Sequence, residues 1–359
     1  MQNRISYLDG LRGIAILLVI FFHAFSRWMD VVPYGNSYSE ITLFKYGYFG
    51  VHLFFIISGF VIFMTLEKCE TWSIFLYKRW LRLFPAMLIC SLLVFFTASI
   101  FNERPSGSPQ LKDLIPGLTF IEPFFWEKLG ANFNSLEGAF WSLYVEFKFY
   151  LFSAFVFYFV GRRLLIPALA LCFVVYLVLE FFDSLFESSL ANTSFALTSY
   201  LDFKYYGWFA AGASYYMYYK TSNNFWFGVA MIMCILSSYI FASDGVVEFI
   251  FVLMLCIIFS VALKSETLRK ILSLKILLFL GFISYPLYLI HENIMISLTI
   301  QGHQYFPEVP LIILPIAGIL FVVGVASLVA VYFEKRLKLS LDMLFRSVKG
   351  RMFLQKPQL

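Results

Sequence analysis

Runs of about twenty mostly apolar residues recur ten times along this chain, each long enough to cross a hydrocarbon core of about 30 Å. We place them at roughly 11–28, 48–66, 80–101, 139–160, 164–182, 201–219, 225–242, 247–263, 276–297 and 310–333. In lipid only a helix or a closed barrel satisfies its own backbone. The period-2 alternation of a barrel strand is absent, so the runs read as helices. Only 14% of the residues are charged and the mean hydropathy is +0.80, against about 25% charged in a soluble domain. The expected fold is therefore all-α, a polytopic membrane protein of about ten transmembrane helices. Residues 1–340 read as one membrane domain and 341–359 as a basic cytoplasmic tail; internal repeats and inverted symmetry are absent.

Orientation follows from the basic residues. With the N-terminus inside, twenty of the 27 Lys and Arg residues fall in cytoplasmic segments, from Arg4 and Arg12 to the tail from Lys335 to Lys356. Six fall outside (Arg27, Lys45, Arg104, Lys112, Lys128 and Lys204), and Lys148 lies within a span. That bias predicts that both termini are cytoplasmic. The net charge of +5 then reflects topology and anionic headgroups, with membrane lipids and no nucleic acid as partners. Ala24-Phe25-Ser26 has the small residues of a signal-peptidase site, but cleavage there would discard the charged first run, so that run is read as retained. Five cysteines show no spacing of a disulfide framework or a zinc site and read as small core residues; no metal is expected. Three connecting segments stand out. Residues 102–138 form the only long outer segment, rich in Pro and Gly, with an aromatic stretch (FIEPFFWEKL) suited to the membrane interface. A second outer loop, about 183–200, holds Asp183 and Glu187, and KSETLRKILSLK (264–275) is a basic amphipathic stretch for the membrane surface.

Charge enters the membrane at few places. Arg12 and His23 bracket the first run, LDGLRGIAILLVIFFHAF. Eleven residues at 100° each make three turns plus about 20°, so both side chains share one helical stripe about 16 Å apart. An ionisable group inside the bilayer is costly and reads by default as functional. Histidine is the side chain that most readily takes and returns a proton near neutral pH. A histidine satisfied by a neighbouring carbonyl is the plainer reading.

Four further segments carry polar groups. In YKRWLRLFP (77–85), Arg79 and Arg82 stand about 60° apart around a helix, either as topological anchors or as a bidentate clamp for phosphates. In FGVHLFFIISGFVIF (49–63), Ser58-Gly59 permits close helix approach, and His52 lies near the outer end within reach of water. In GAFWSLYVEFKFY (138–150), Trp141 and Tyr144 suit an interface belt. Glu146 and Lys148 project to nearly opposite sides, so each needs another partner; a carboxylate on His23 would fix its tautomer. In GFISYPLYLIHENI (281–294), Ser284, Tyr285, Tyr288, His291, Glu292 and Asn293 form a polar stripe around Pro286. His291 reads either as a second proton-handling group or as a hydrogen-bonder near the outer end.

Taken together these segments resemble the acyltransferase 3 family of bacterial membrane acyltransferases. DGLRGIAILLVIFFHA (9–24) looks like its opening Asp-Gly-Leu-Arg-Gly with arginine, ten residues, then histidine; FFIISGFVI (54–62) is similar to its Ser-Gly-Phe segment. KRWLRLFPA (78–86) fits its paired arginines, WSLYVEFKFY (141–150) its Trp-Ser-Leu stretch and ISYPLYLIH (283–291) its late Ser-Tyr segment. The resemblance implies an integral-membrane O-acyltransferase of the bacterial inner membrane, without the C-terminal SGNH-type esterase domain that several members carry. Such enzymes move an acyl group, usually acetyl, from cytoplasmic acetyl-CoA to a hydroxyl of a surface carbohydrate. It implies His23 and Arg12 as the reactive pair and Arg79 and Arg82 as donor-binding. His52 and Lys148 gain nothing from it.

The chemistry of the residues agrees. Coenzyme A brings phosphates that need cationic forks, and a sugar hydroxyl needs a general base. A thioester under attack needs hydrogen-bond donors for its oxyanion, which Tyr, Ser or Asn of the ninth span would supply. We therefore take His23, Arg12 and Glu146 as candidate catalytic residues, Arg79 and Arg82 as candidate donor-binding residues, and Tyr285, Tyr288 and His291 as supporting ones. The rival reading is a transporter or flippase of a glycan or lipid precursor, since charged stripes also line substrate paths.

Overall fold

The computed structural model describes residues 5–185 and 189–354; Arg4, Glu187 and Lys356 lie outside them. Its ten principal helices are α1 (Ser6–Arg27), α2 (Gly47–Leu66), α3 (Trp72–Phe96), α4 (Gly138–Val160), α5 (Arg162–Asp183), α6 (Tyr206–Thr221), α7 (Asn224–Phe241), α8 (Val246–Lys264), α9 (Lys275–Tyr305) and α10 (Ile313–Phe345). Among the described residues there is no strand. Nine of the ten are long and apolar enough to cross a bilayer. The exception is α6, 16 residues long: the expected span at 201–219 starts late, after a left-handed Asp202 (φ 58°) and the 3-10 turn Phe203–Tyr205, and its tyrosines and Lys220 make it less apolar. Apolar side chains on the helices face outward, as lipid-facing ones do: Leu171 is 62% exposed, Ile250 58% and Leu320 66%. The chain is an all-α polytopic membrane protein.

Two connecting segments hold short helices. The outer loop expected at 183–200 holds a helix, Ser189–Tyr200. The basic stretch at 264–275 holds the helix Glu266–Leu272, which starts where the Ser265 hydroxyl accepts the Leu268 amide at 3.2 Å. The last helix runs on through Lys335–Leu354.

The chain forms two compact units. The first holds the residues up to Asp30, Tyr34–Leu76 and Trp141–Ser284. Lipid offers no hydrophobic drive between helices, so close backbone approach does the packing. A Cβ at Gly59 of α2 would stand 2.2 Å from the Phe209 carbonyl oxygen, and one at Gly212 of α6 only 2.0 Å from that of Ile56. Gly10 of α1 and Gly281 of α9 repeat the device: their Cβ atoms would meet the Leu272 and Asp9 carbonyl oxygens at 1.8 and 1.9 Å. Around these contacts Phe149 stacks on Phe209 at 3.8 Å, and Trp208 and Tyr215 are fully buried. At the end of α2, Glu67 accepts from Lys220 and Tyr216, each at 2.7 Å, and pairs with Arg162. Burial alone would raise its carboxyl pKa, but the bonds from Lys220 and Tyr216 and the charge of Arg162 outweigh it and hold it below the usual value.

The second unit holds Val31–Pro33, Tyr77–Phe140 and the residues from Tyr285 on. Here the 102–138 segment is tied to α9 through buried polar groups. Arg104, 8% exposed, donates to the carbonyls of Val94 and Leu136 at 3.0 and 3.1 Å. Glu137 accepts from the Asn293 side chain at 2.7 Å and its backbone amide at 3.1 Å, and the Asn293 side-chain Oδ1 accepts the Ser106 backbone amide at 3.0 Å. Glu292 accepts the Ala139 amide at 2.8 Å. Within the segment, Asp113 gathers the Gln110 and Asn134 amides, both at 2.8 Å. Burial pushes the Glu137 carboxyl well above the usual carboxylate range and Glu292 pushes it further, against Arg104 and the Asn293 bonds.

Two predictions follow from this packing. Gly212→Val forces a side chain against backbone that cannot yield, and should destabilise the protein by at least about 1–3 kcal/mol. A detergent-solubilised variant melting at the wild-type temperature would refute the contact. Because its folded pKa is raised, Glu137 keeps a proton that the unfolded chain releases, so its contribution to stability falls as pH rises above the ordinary carboxylate value. Glu137→Gln should flatten the pH dependence of the melting temperature from about pH 5 to about pH 7, whereas Glu137→Ala strands the Asn293 donors and should cost about 1–3 kcal/mol. A Gln variant that keeps the wild-type slope would contradict the assignment.

Candidate active site

In the first unit α1 carries both opening residues of the site. Arg12 Nη1 donates to Asp9 Oδ1 at 2.8 Å, one helical turn away, and the side chains are 25% and 9% exposed. The Asp-Gly-Leu-Arg-Gly motif thus has a local meaning: Asp9 fixes the guanidinium, while Gly10 and Gly13 admit the backbone of Leu272 and Leu277. The α-helix Ser6–Phe22 then gives way to a π-helical turn, His23–Arg27, that starts on the histidine. Such turns recur at functional sites.

His23 is half-buried, and its Nδ1 lies 2.8 Å from the Val19 carbonyl oxygen. A carbonyl only accepts, so this bond puts the proton on Nδ1 and the basic lone pair on Nε2. The tautomer is therefore set by the helix itself. The expectation that Glu146 sets it is not met: Glu146 Oε1 accepts from Ser58 at 2.7 Å and from Tyr150 at 2.6 Å. Ser58 of the Ser-Gly-Phe segment is thereby tied to α4, and Gly59 beside it to α6.

Lys148, expected to need its own partner, pairs with Asp202 at 2.6 Å and donates to the Tyr200 carbonyl at 2.8 Å. His52 differs from expectation. It is only 5% exposed, not within reach of water, enclosed by Phe49, Phe55, Tyr205, Trp208 and Phe241 at ring separations of 4.6–6.2 Å. Tyr144 is likewise buried rather than interfacial, whereas Trp141 is 38% exposed.

In the second unit Arg79 and Arg82 lie on α3. Arg82 pairs with Glu334 at 3.4 Å and its guanidinium sits 5.4 Å from the centre of the Tyr285 ring. The Tyr285 hydroxyl donates to the Leu83 carbonyl at 3.0 Å, and that of Tyr288 to the Ala139 carbonyl at 2.8 Å. Asn293 gives its side-chain protons to Leu136 and Glu137, and Ser284 donates to Gly281. The donors that the ninth span was expected to offer an oxyanion are thus engaged by the fold. His291 is fully buried with Nδ1 2.9 Å from the Tyr288 carbonyl oxygen, the same tautomer-fixing bond as at His23.

The partners of Asp9, Ser58, Arg104 and Glu137 escaped the sequence reading. The i, i+3 spacing of Asp9 and Arg12 is a signal that would have found the first; no local pattern pairs the others with residues far along the chain. Among the described residues no group of three or more His, Cys, Asp or Glu side chains is placed to hold a metal ion.

The chain is similar in sequence to several known proteins. "Putative O-acetyltransferase SACOL0978" of Staphylococcus aureus (strain COL) is 29% identical over 157 residues, 40% of this chain and 23% of that protein. O-acetyltransferase OatA of Staphylococcus aureus (strain NCTC 8325 / PS 47) is 29% identical over 168 residues, 44% of this chain and 25% of OatA. The match to this chain thus spans about a quarter of the staphylococcal relatives' length. "Putative acetyltransferase ORF330" of the Acidianus two-tailed virus is 25% identical over 296 residues, 78% of this chain and 80% of that protein. No solved structure matches the chain. The family model of the acyltransferase 3 domain matches residues 5–334, nearly the whole length and every helix of the candidate site, and the chain belongs to that family.

Proposed function

We propose that the chain is a membrane O-acyltransferase that moves an acyl group, most simply acetyl, from acyl-CoA to a hydroxyl of a carbohydrate, with His23 as general base. The observation that carries this reading is the bond from His23 Nδ1 to the Val19 carbonyl, which leaves the basic lone pair on Nε2 in a membrane helix. In this mechanism Nε2 takes the hydroxyl proton as the acceptor oxygen bonds to the thioester carbonyl carbon. The carbon–sulfur bond then breaks, sulfur leaves with the electron pair, and the imidazolium returns the proton to it. Arg12, oriented by Asp9, completes the reactive pair with His23, and the pair Arg79 and Arg82 attracts the phosphates of the donor. Glu146, fixed by Ser58 and Tyr150, keeps a carboxylate in the same unit as the histidine. Tyr285 and Tyr288 support the arrangement by tying α9 to the Leu83 and Ala139 carbonyls, and His291 is buried one turn from Tyr288.

The distribution of Lys and Arg supports cytoplasmic termini and an extracytoplasmic 102–138 segment; for its length we take that segment as the one that selects the acceptor, and family membership supports residence in a bacterial inner membrane. Family membership favours this reading over a transporter.

Replacing His23 with alanine should cut acetylation of the surface glycan by about 10²–10⁴-fold, read by mass spectrometry as loss of one acetyl mass per sugar unit at unchanged protein abundance. Wild-type acetylation in that variant sinks the reading, and loss of the whole polymer points to export instead. Changing Arg79 and Arg82 together to alanine should raise the KM for the donor first. A rise confined to the acceptor KM would overturn their assignment.

A further inference from the structure

Lys338 on α10 is half-buried, and among the described residues it makes no ion pair or hydrogen bond. The charges that act on it are those of Arg82, Glu334, Arg79 and Asp342. Both carboxylates already have partners: Glu334 holds Arg82, and Asp342 accepts from the Tyr77 hydroxyl at 3.2 Å. Three cations from two helices are thus grouped with two carboxylates, a surplus of positive charge that an incoming anion offsets.

Residues 334, 338, 342 and 345 fall three or four apart and share one helical stripe. The last of them adds a second feature. Phe345 stacks on Tyr77 at 3.8 Å and 16°, Tyr77 lies nearly parallel to Trp80 at 6.3 Å, and Trp80 stacks on Phe84 at 4.5 Å. Phe345 ends this ladder and is 43% exposed. A cationic cluster beside an exposed flat ring suits a ligand that joins phosphate to a planar base. Anionic phospholipid headgroups share the phosphate but lack the base.

Resting on the donor reading above, we infer that Lys338 and Phe345 extend the Arg79–Arg82 pair into a site for the nucleotide end of the acyl donor, with Lys338 on a phosphate and Phe345 against the base. The site is then built by α3 and the last helix together, and donor affinity depends on residues that follow the family-matched region.

The test uses the full chain in nanodiscs of neutral phosphatidylcholine, with adenosine 3′,5′-bisphosphate and pyrophosphate as calorimetric probes. Lys338→Ala should weaken both probes about tenfold, the loss of one charge-assisted hydrogen bond, and Lys338→Arg should restore them. Phe345→Ala should weaken the bisphosphate several-fold and leave pyrophosphate unchanged, at wild-type melting temperatures throughout. If wild type binds the bisphosphate and neither alanine variant weakens it, this inference falls and the donor reading stands. If wild type binds neither the bisphosphate nor coenzyme A, the donor reading falls with it. If Lys338→Ala weakens only the retention of phosphatidylglycerol in mixed discs, the cluster is a headgroup site and the nucleotide assignment is wrong.

Discussion

Backbone-to-backbone contact at glycine is the constraint on which the first unit depends. Where Gly10 meets Leu272 and Gly281 meets Asp9, no side chain separates the two helices, so the chain around Asp9 and Arg12 has one position and no slack. The Asp9–Arg12 pair inherits that rigidity, because its carboxylate belongs to a residue whose own carbonyl is in contact. In a bilayer, where apolar burial does not drive helices together, such contacts are what orders a site.

Three charged residues of α1 and α4 each have a named polar partner. Arg12 has Asp9, Lys148 has Asp202, and Glu146 has Ser58 and Tyr150. Pairing lowers the cost of holding charge in the hydrocarbon and reduces the freedom of each side chain. His23 is held differently, by a carbonyl of its own helix. In the neutral ring that bond fixes the proton on Nδ1 and the lone pair on Nε2.

Much of the fold was legible because hydropathy is a local property: apolar runs of membrane length must become helices, and nine of the ten expected did so at full length. The start of the short one, α6, was not legible because a left-handed Asp202 and the 3-10 turn Phe203–Tyr205 precede it, and hydropathy registers neither. The loop expected at 183–200 failed for the converse reason, since a helix of modest polarity carries little hydropathy signal. At the candidate site, the Arg12–His23 spacing was readable from helical geometry. The partners of Glu146 were not, because Ser58 lies 88 residues away and only tertiary packing joins them. His52 was misread for the same reason: its position near a helix end says nothing about the five rings brought around it from other parts of the chain.

The π turn at His23 makes the first helix unequal in its tolerance of length change. From Arg12 to His23 the chain is uninterrupted α-helix, so the interval works as a ruler graduated at about 1.5 Å per residue. One residue inserted inside it would move the histidine along the axis by that amount and swing it about 100° around the helix. Beyond the histidine the wider turn already accommodates an extra residue, so a change of length there can be absorbed locally. Variation in length along this helix is therefore expected to collect on the far side of His23, with the ten residues before it kept in number even where their identities change.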